Sequence, residues 1–269
     1  MVGRVLIVAG SDSGGAAGIQ ADLKTVTALG GYGATAITAL TAQNTRGVFA
    51  VQGVEPDFIA RQISLVLEDI GADCIKTGML HNSEVIQVVV GVLESLAPDT
   101  PLVVDPVMFA KGGESLLDPT ARTTLVERLI PRATVLTPNI PEAEALSGLP
   151  IVDARGMGRV TAALLEMGPR AVLIKGGHLQ GRTVQDLLVT HDRERVFTAP
   201  YLDTDHTSGT GCTLASAIAT GLAQGLELEP AVARALAYVH EAIRTAPGLG
   251  RGRGPVNHGH TVGPFSSGS

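Results

Sequence analysis

Val5-Leu6-Ile7-Val8-Ala9-Gly10-Ser11-Asp12-Ser13-Gly14-Gly15 opens the chain with an unbroken apolar run that stops at a glycine. Such a run has no polar face, so 5–9 reads as a strand buried on both sides. A helical pattern follows over 21–29 and is stopped by Gly30-Gly31, and 34–40 reads as the next strand. The same alternation continues. Over 56–70 the apolar residues Phe58, Ile59, Ile63, Val66, Leu67 and Ile70 recur at helical spacing, closed by Gly71. Cys74–Thr77 reads as a strand, and Ser83–Leu96 as a helix with Ser83 as its N-cap. Strands over 102–105 and 134–136 are cut by Pro106 and Pro138, with a helix over 120–129 between them. Helices over 141–146 and 153–167 precede a strand over Ala171–Ile174, then an antiparallel pair over 184–190 and 195–199. The last two helices cover 211–225 and 230–244. This rhythm predicts an α/β fold, a mostly parallel central sheet with helices on both faces. No linker, repeat or low-complexity segment divides it. One domain is expected over 1–264, with a disordered tail over 265–269.

The composition excludes several classes of function. The 269 residues carry a net charge of −6 and no long basic run, so no nucleic-acid partner is expected. No apolar run reaches the ~18–20 residues that span a bilayer, so no membrane partner is expected either. The N-terminus lacks the basic region and cleavage site of a secretory signal. Cys74 and Cys212 are far apart and form no disulfide framework. A reduced, cytoplasmic protein is the expectation.

Ligands of such sheets bind beyond the carboxyl ends of the strands. Glycine and polar residues collect there: Gly10 to Gly15, Thr41 to Thr45, Lys76-Thr77-Gly78-Met79, Asp105-Pro106-Val107-Met108, Thr137-Pro138-Asn139 and Lys175-Gly176-Gly177-His178. The richest segment is Thr207-Ser208-Gly209-Thr210-Gly211-Cys212-Thr213, which runs straight into a helix. A glycine-rich turn at a helix N-terminus aligns free backbone N–H groups at the positive end of the helix dipole, a seat for phosphate. Cys212 lies in that seat. The dipole there favours a thiolate over an ordinary thiol of pKa about 8.5. Bound phosphates oppose this, so the sequence leaves the net sign open.

Other groups join it. The glycines of 10–18 miss the G-x-G-x-x-G spacing of a dinucleotide site, so a close backbone approach to a small ligand is the better reading. Asn139 and Glu142 fit both a helix capping box and a pair facing one site. With Asp105 they provide two carboxylates able to hold Mg²⁺, directly or through water. Lys175 is one of only four lysines and ends a buried strand, where it can meet phosphate as a point charge. Gln43 carries an amide that donates and accepts together, suited to a ring nitrogen beside an exocyclic amine. Cys74 reads as buried. A cysteine-hydrolase reading would need His206 or His178 beside Cys212.

Taken together the motifs resemble the ribokinase-like superfamily: Asn139-Ile140-Pro141-Glu142 looks like its N-x-x-E motif, and residues 208–212 like its anion hole, with Cys212 where most members have aspartate. The cysteine, the segments 9–25 and 37–45, Lys76-Thr77-Gly78-Met79-Leu80 and Lys175-Gly176-Gly177-His178 narrow this to a resemblance to the hydroxymethylpyrimidine/phosphomethylpyrimidine kinases of thiamine biosynthesis. It runs from about Arg4 to Pro264. It departs at Ala16-Ala17, where the family has more glycine, and in the loosely matching ending over 259–264.

The resemblance implies a three-layer α/β/α ribokinase-like fold and two successive ATP-dependent phosphorylations, of the hydroxymethyl group of an aminopyrimidine and then of its monophosphate. It implies ATP and Mg²⁺ as cofactors and a homodimer touching near 184–199. On this footing the amides of Gly209, Thr210, Gly211 and Cys212 cradle the moving phosphoryl group. Lys175, Asn139 and Mg²⁺ at Asp105 and Glu142 neutralise the triphosphate, and Thr207 lies along the nucleotide. Gln43, Asp22, Gly10, Met79 and Val107 bind the pyrimidine, and Cys212 takes the proton of the hydroxyl in the first step. A pyridoxal kinase and a non-catalytic ligand-binding relative are the alternatives.

Overall fold

A computed structural model describes residues 2–110, 113, 115–176 and 183–263. The tail expected over 265–269 and His178 lie outside the described residues. Nine strands form one sheet: β1 (Arg4–Asp12), β2 (Tyr32–Asn44), β3 (Gly47–Gly53), β4 (Cys74–Thr77), β5 (Leu102–Val104), β6 (Val135–Leu136), β7 (Ala171–Ile174), β8 (Thr183–Thr190) and β9 (Glu194–Pro200). Their spatial order is β3-β2-β1-β4-β5-β6-β7-β8-β9. The strands from β2 to β7 in this order run parallel, and β3, β8 and β9 add antiparallel edges.

Side-chain alternation along the central strands divides the core. Val5, Ile7, Ala9, Cys74, Val103, Ala171 and Leu173 face α1 (Gly18–Ala28), α7 (Thr210–Ala223) and α8 (Leu228–Arg244). Leu6, Val8, Ile75, Val104, Val172 and Ile174 face α2 (Pro56–Asp69), α3 (Ser83–Leu96), α4 (Ala121–Thr124), α5 (Ile140–Ser147) and α6 (Ala154–Leu165). Both faces of β1 over 5–9 are therefore apolar, as its unbroken run required.

Several expectations are corrected. The segment 47–53 is a strand, paired to β2 through the tight turn at Thr45-Arg46. β1 and β2 run on to Asp12 and Asn44, into what read as loops. The helix expected over 120–129 is one α-turn followed by a π-turn over Leu125–Leu129. The cap of α3 is Asn82, whose side chain accepts from the Val85 amide, and Ser83 is instead its first helical residue.

This topology positions the site. From β1 the chain moves to β2 and β3 on one side, then returns through α2 to place β4 on the other side of β1. The connections diverge there, and the gap beyond the carboxyl ends of β1 and β4 is the natural crevice. The N-termini of α1 and α7 both open onto it.

Candidate active site

Two helix starts meet backbone to backbone. Gly209 has φ +82°, and a Cβ there would lie 1.8 Å from the carbonyl oxygen of Ala16. Only glycine allows this approach. The loop before α1 is held rigid by Asp12, a residue sequence reasoning passed over. Its buried carboxylate accepts from the amides of Gly14 (2.7 Å), Ala16 (3.0 Å) and Ala17 (2.8 Å). Asp-x-Gly at a strand end was the available signal.

At the first turn of α7, the Gly211 and Cys212 amides have no acceptor among the described residues. Lys175 and Asp105 stand directly over this turn. Lys175 Nζ is 3.1 Å from Asp105 Oδ1, and a Cβ on Gly211 would lie 3.3 Å from that Nζ and 3.5 Å from Asp105 Oδ2. Two free amides and an ammonium thus surround one small space, as an anion requires.

Asn139 and Glu142 form the capping box. The Glu142 amide donates to Asn139 Oδ1 and the Asn139 amide to Glu142 Oε2, each at 2.9 Å. The other Glu142 oxygen accepts from the Met108 amide. Glu142 is buried, and its pKa is pushed up to about 7, chiefly by burial and further by the charge of Asp105, against the pull of Lys175. A buried carboxylate raised in this way suits a divalent cation. Among the described residues no group of three or more His, Cys, Asp or Glu forms a protein cage. Two carboxylates are enough for Mg²⁺, which keeps much of its hydration and takes its other ligands from water and phosphate.

The raised pKa makes stability depend on pH. Below pH 4.5 Glu142 is protonated in folded and unfolded chains alike. Between 4.5 and about 7 the unfolded chain ionises first, so folding stability falls as pH rises, by about 3 kcal/mol for this group. We therefore expect Glu142→Gln to gain about that much on the wild type across pH 4.5–7 in urea unfolding of the ligand-free protein. Parallel curves would refute the assignment.

Cys212 as a residue is half-buried, but its thiol is packed among neighbours. Lys76 and, less, the backbone of Gly18 at the start of α1 favour the thiolate. Burial outweighs both and pushes the thiol up to about 12. The dipole argument for a favoured thiolate is therefore overturned in the ligand-free protein. His206 packs against Gly254 and makes no hydrogen bond to Cys212, so that hydrolase pairing is not formed; the other candidate partner, His178, lies outside the described residues.

Gly10, Gln43, Met79 and Val107 lie at or just beyond the carboxyl ends of β1, β2, β4 and β5. A Cβ on Gly10 would sit 3.1 Å from Met79 Sδ, which brings the ends of β1 and β4 together. Gln43 is partly exposed, its carboxamide 3.1 Å from the Thr41 hydroxyl. Val107 follows Asp105 and is partly exposed, and the Thr207 carbonyl accepts from the Thr210 hydroxyl at 3.1 Å. Asp22 does not form a wall. It is sealed behind the crevice, fully buried, with both oxygens 2.9 Å from Lys76 Nζ and one 2.6 Å from Ser216 Oγ.

Comparison with known proteins fits this geometry. Residues 12–257 match the family model described as phosphomethylpyrimidine kinase. The chain is 49% identical over 259 residues to the hydroxymethylpyrimidine/phosphomethylpyrimidine kinase of Streptomyces coelicolor, covering 96% of this chain and 95% of that protein. It is 53% identical over 256 residues to the thiamine biosynthesis bifunctional protein ThiED of Geobacter sulfurreducens, covering 95% of this chain but only 52% of that longer protein. Its fold is similar to that of a pyridoxal kinase from Staphylococcus aureus solved with AMP-PCP and pyridoxal, with a TM-score of 0.88, 34% identity and coverage of 96% and 94% of the two chains.

Proposed function

The chain belongs to the phosphomethylpyrimidine kinase family, and from that premise we propose that it phosphorylates 4-amino-5-hydroxymethyl-2-methylpyrimidine and then its monophosphate, with ATP as donor, in thiamine biosynthesis. The observation that carries this reading is the meeting of Lys175, Asp105 and the free amides of Gly211 and Cys212 around one space.

Phosphoryl transfer needs positioning and charge neutralisation more than covalent help from the protein. The amides of Gly209, Thr210, Gly211 and Cys212 receive the moving phosphoryl group. Lys175 and Asn139 neutralise the triphosphate, and Thr207 lies along the nucleotide. Asp105 and Glu142 would hold Mg²⁺, which would supply further charge neutralisation when bound. Gln43 reads the aminopyrimidine edge, with Gly10, Met79 and Val107 as walls.

In the first step the hydroxymethyl oxygen bonds to the terminal phosphorus, the bond to the β-phosphate oxygen breaks, and ADP leaves. The hydroxyl proton passes to the Cys212 sulfur of the minor fraction that carries it as thiolate, leaving the neutral thiol. In the second step the nucleophile is an ionised phosphate oxygen, which needs no base. We further read 1–264 as one domain in a cytoplasmic homodimer, with Val196 on β9, 47% exposed, as an apolar contact point.

The test is mass spectrometry of products after mixing the protein with Mg-ATP, the hydroxymethylpyrimidine and pyridoxal. Mono- and then pyrophosphorylated pyrimidine is expected. Pyridoxal phosphate alone would move the protein to vitamin B6 salvage and remove Gln43's assigned role.

A further inference from the structure

Lys76 is the largest side chain among those fully buried in the described residues. It projects from β4 into the apolar layer beneath α1 and α7, the same layer as Cys74. An unpaired ammonium there would be prohibitive, and Asp22 on α1 meets it with both oxygens at 2.9 Å. Ser216 on α7 donates to Asp22 at 2.6 Å. Gly78 must lack a side chain, since a Cβ would lie 2.9 Å from Lys76 Nζ. A buried ion pair of this kind is seldom a net gain in stability over packed hydrocarbons. Its placement points elsewhere. Ser216 lies four residues after Cys212 on α7, so the hydroxyl that fixes Asp22 and the thiol share one helix face a single turn apart.

We propose that Lys76 is a positioning residue for the phosphoryl transfer: its buried ammonium, clamped by Asp22 and Ser216 one helical turn from Cys212, stabilises the negative charge that the Cys212 sulfur must carry to take a proton. The proposal rests on Cys212 as proton acceptor in the reading above. The charged groups facing the sulfur are Lys76 from β4, Asp22 from α1, Asp105 beyond β5 and Lys175 beyond β7. Lys175 is committed to Asp105 on the phosphate side. Lys76 is the cation on the helix side. Among the sulfur's neighbours it favours the thiolate most, while Asp22 and Asp105 oppose it.

The experiment is the rate of Cys212 alkylation by iodoacetamide across pH 7–9.5, read by peptide mass spectrometry on the full-length protein. Buried Cys74 is resolved as a separate peptide. Lys76→Met leaves the Asp22 charge in place and should slow Cys212 alkylation about 10-fold or more at each pH. Asp22→Asn leaves the ammonium in place and should accelerate it. The first phosphorylation should follow the same two opposite directions at fixed pH. A purely structural pair would slow both variants or neither, and either result overturns the proposal. If Lys76→Met does not fold, Asp22→Asn decides alone: faster alkylation together with a faster first phosphorylation supports the proposal, whereas faster alkylation with a slower or unchanged first phosphorylation, or no faster alkylation, overturns it. Alkylation does not require turnover. A wild-type protein that fails to phosphorylate the pyrimidine would therefore refute the kinase reading separately.

Discussion

Between pH 7 and 9 the first phosphorylation should accelerate about tenfold per pH unit, the second should barely respond, and Cys212→Ala should remove the slope. The ligand-free protein holds the Cys212 thiol protonated, with its pKa pushed up to about 12 by burial. A base with that pKa is present as thiolate only in a small fraction at neutral pH, and that fraction grows tenfold per unit. The hydroxymethyl group must lose a proton as its oxygen bonds to phosphorus. The monophosphate brings an oxygen that is already ionised. Loss of a positioned base costs about 10²–10⁴ in rate, and this loss should fall on the first step alone. Separate assays with hydroxymethylpyrimidine and with its monophosphate measure it. Equal loss in both steps, or a flat pH profile in the first, would leave Cys212 as a positioning group.

Gly209→Ala should depress both steps together, by about 10² or more, because it disturbs the seat shared by both. The new Cβ would be 1.8 Å from the Ala16 carbonyl oxygen, and φ is +82°. Relief requires separating the loop over 13–17 from the start of α7, which moves the Gly211 and Cys212 amides away from Lys175. Gly225→Ala is the control. It too has positive φ, +86°, but its Cβ would meet nothing within 4 Å. It should cost only the ordinary left-handed strain, about 1–2 kcal/mol, and leave kcat intact. If both variants kept full activity, the close approach at Gly209 would have no catalytic meaning.

The central strands were legible because burial on both faces leaves unbroken apolar runs, as at 5–9 and Ala171–Ile174. The edge strand Gly47–Gly53 was not, because it lies outside the core: Phe49 is 70% exposed. The end of α3 was read one residue late because Asn82 and Ser83 are both good caps, and only backbone geometry selects Asn82. In the site, Lys175, Asp105, Gly211 and Cys212 stood out as chemistry-bearing residues at strand ends or at a helix start. Asp22 was misplaced and Lys76 left without a role for a common reason. Their pairing joins residues 54 apart, and no local pattern marks which buried lysine meets which aspartate. The charge state of Cys212 was illegible for a related reason. The dipole that favours the thiolate is a local property of the helix start, whereas the burial that defeats it is a property of the folded whole.

The most direct measurement is a crystal structure of the protein with Mg²⁺, a non-hydrolysable ATP analogue and the hydroxymethylpyrimidine. The expected result is the terminal phosphoryl group against the amides of Gly209 to Cys212 and beside Lys175, with the hydroxymethyl oxygen next to Cys212 and the ring between Gln43 and Met79. Triphosphate bound elsewhere, such as the groove of about 580 Å³ lined by Lys24, Thr27, Leu249 and Asn257, would contradict it.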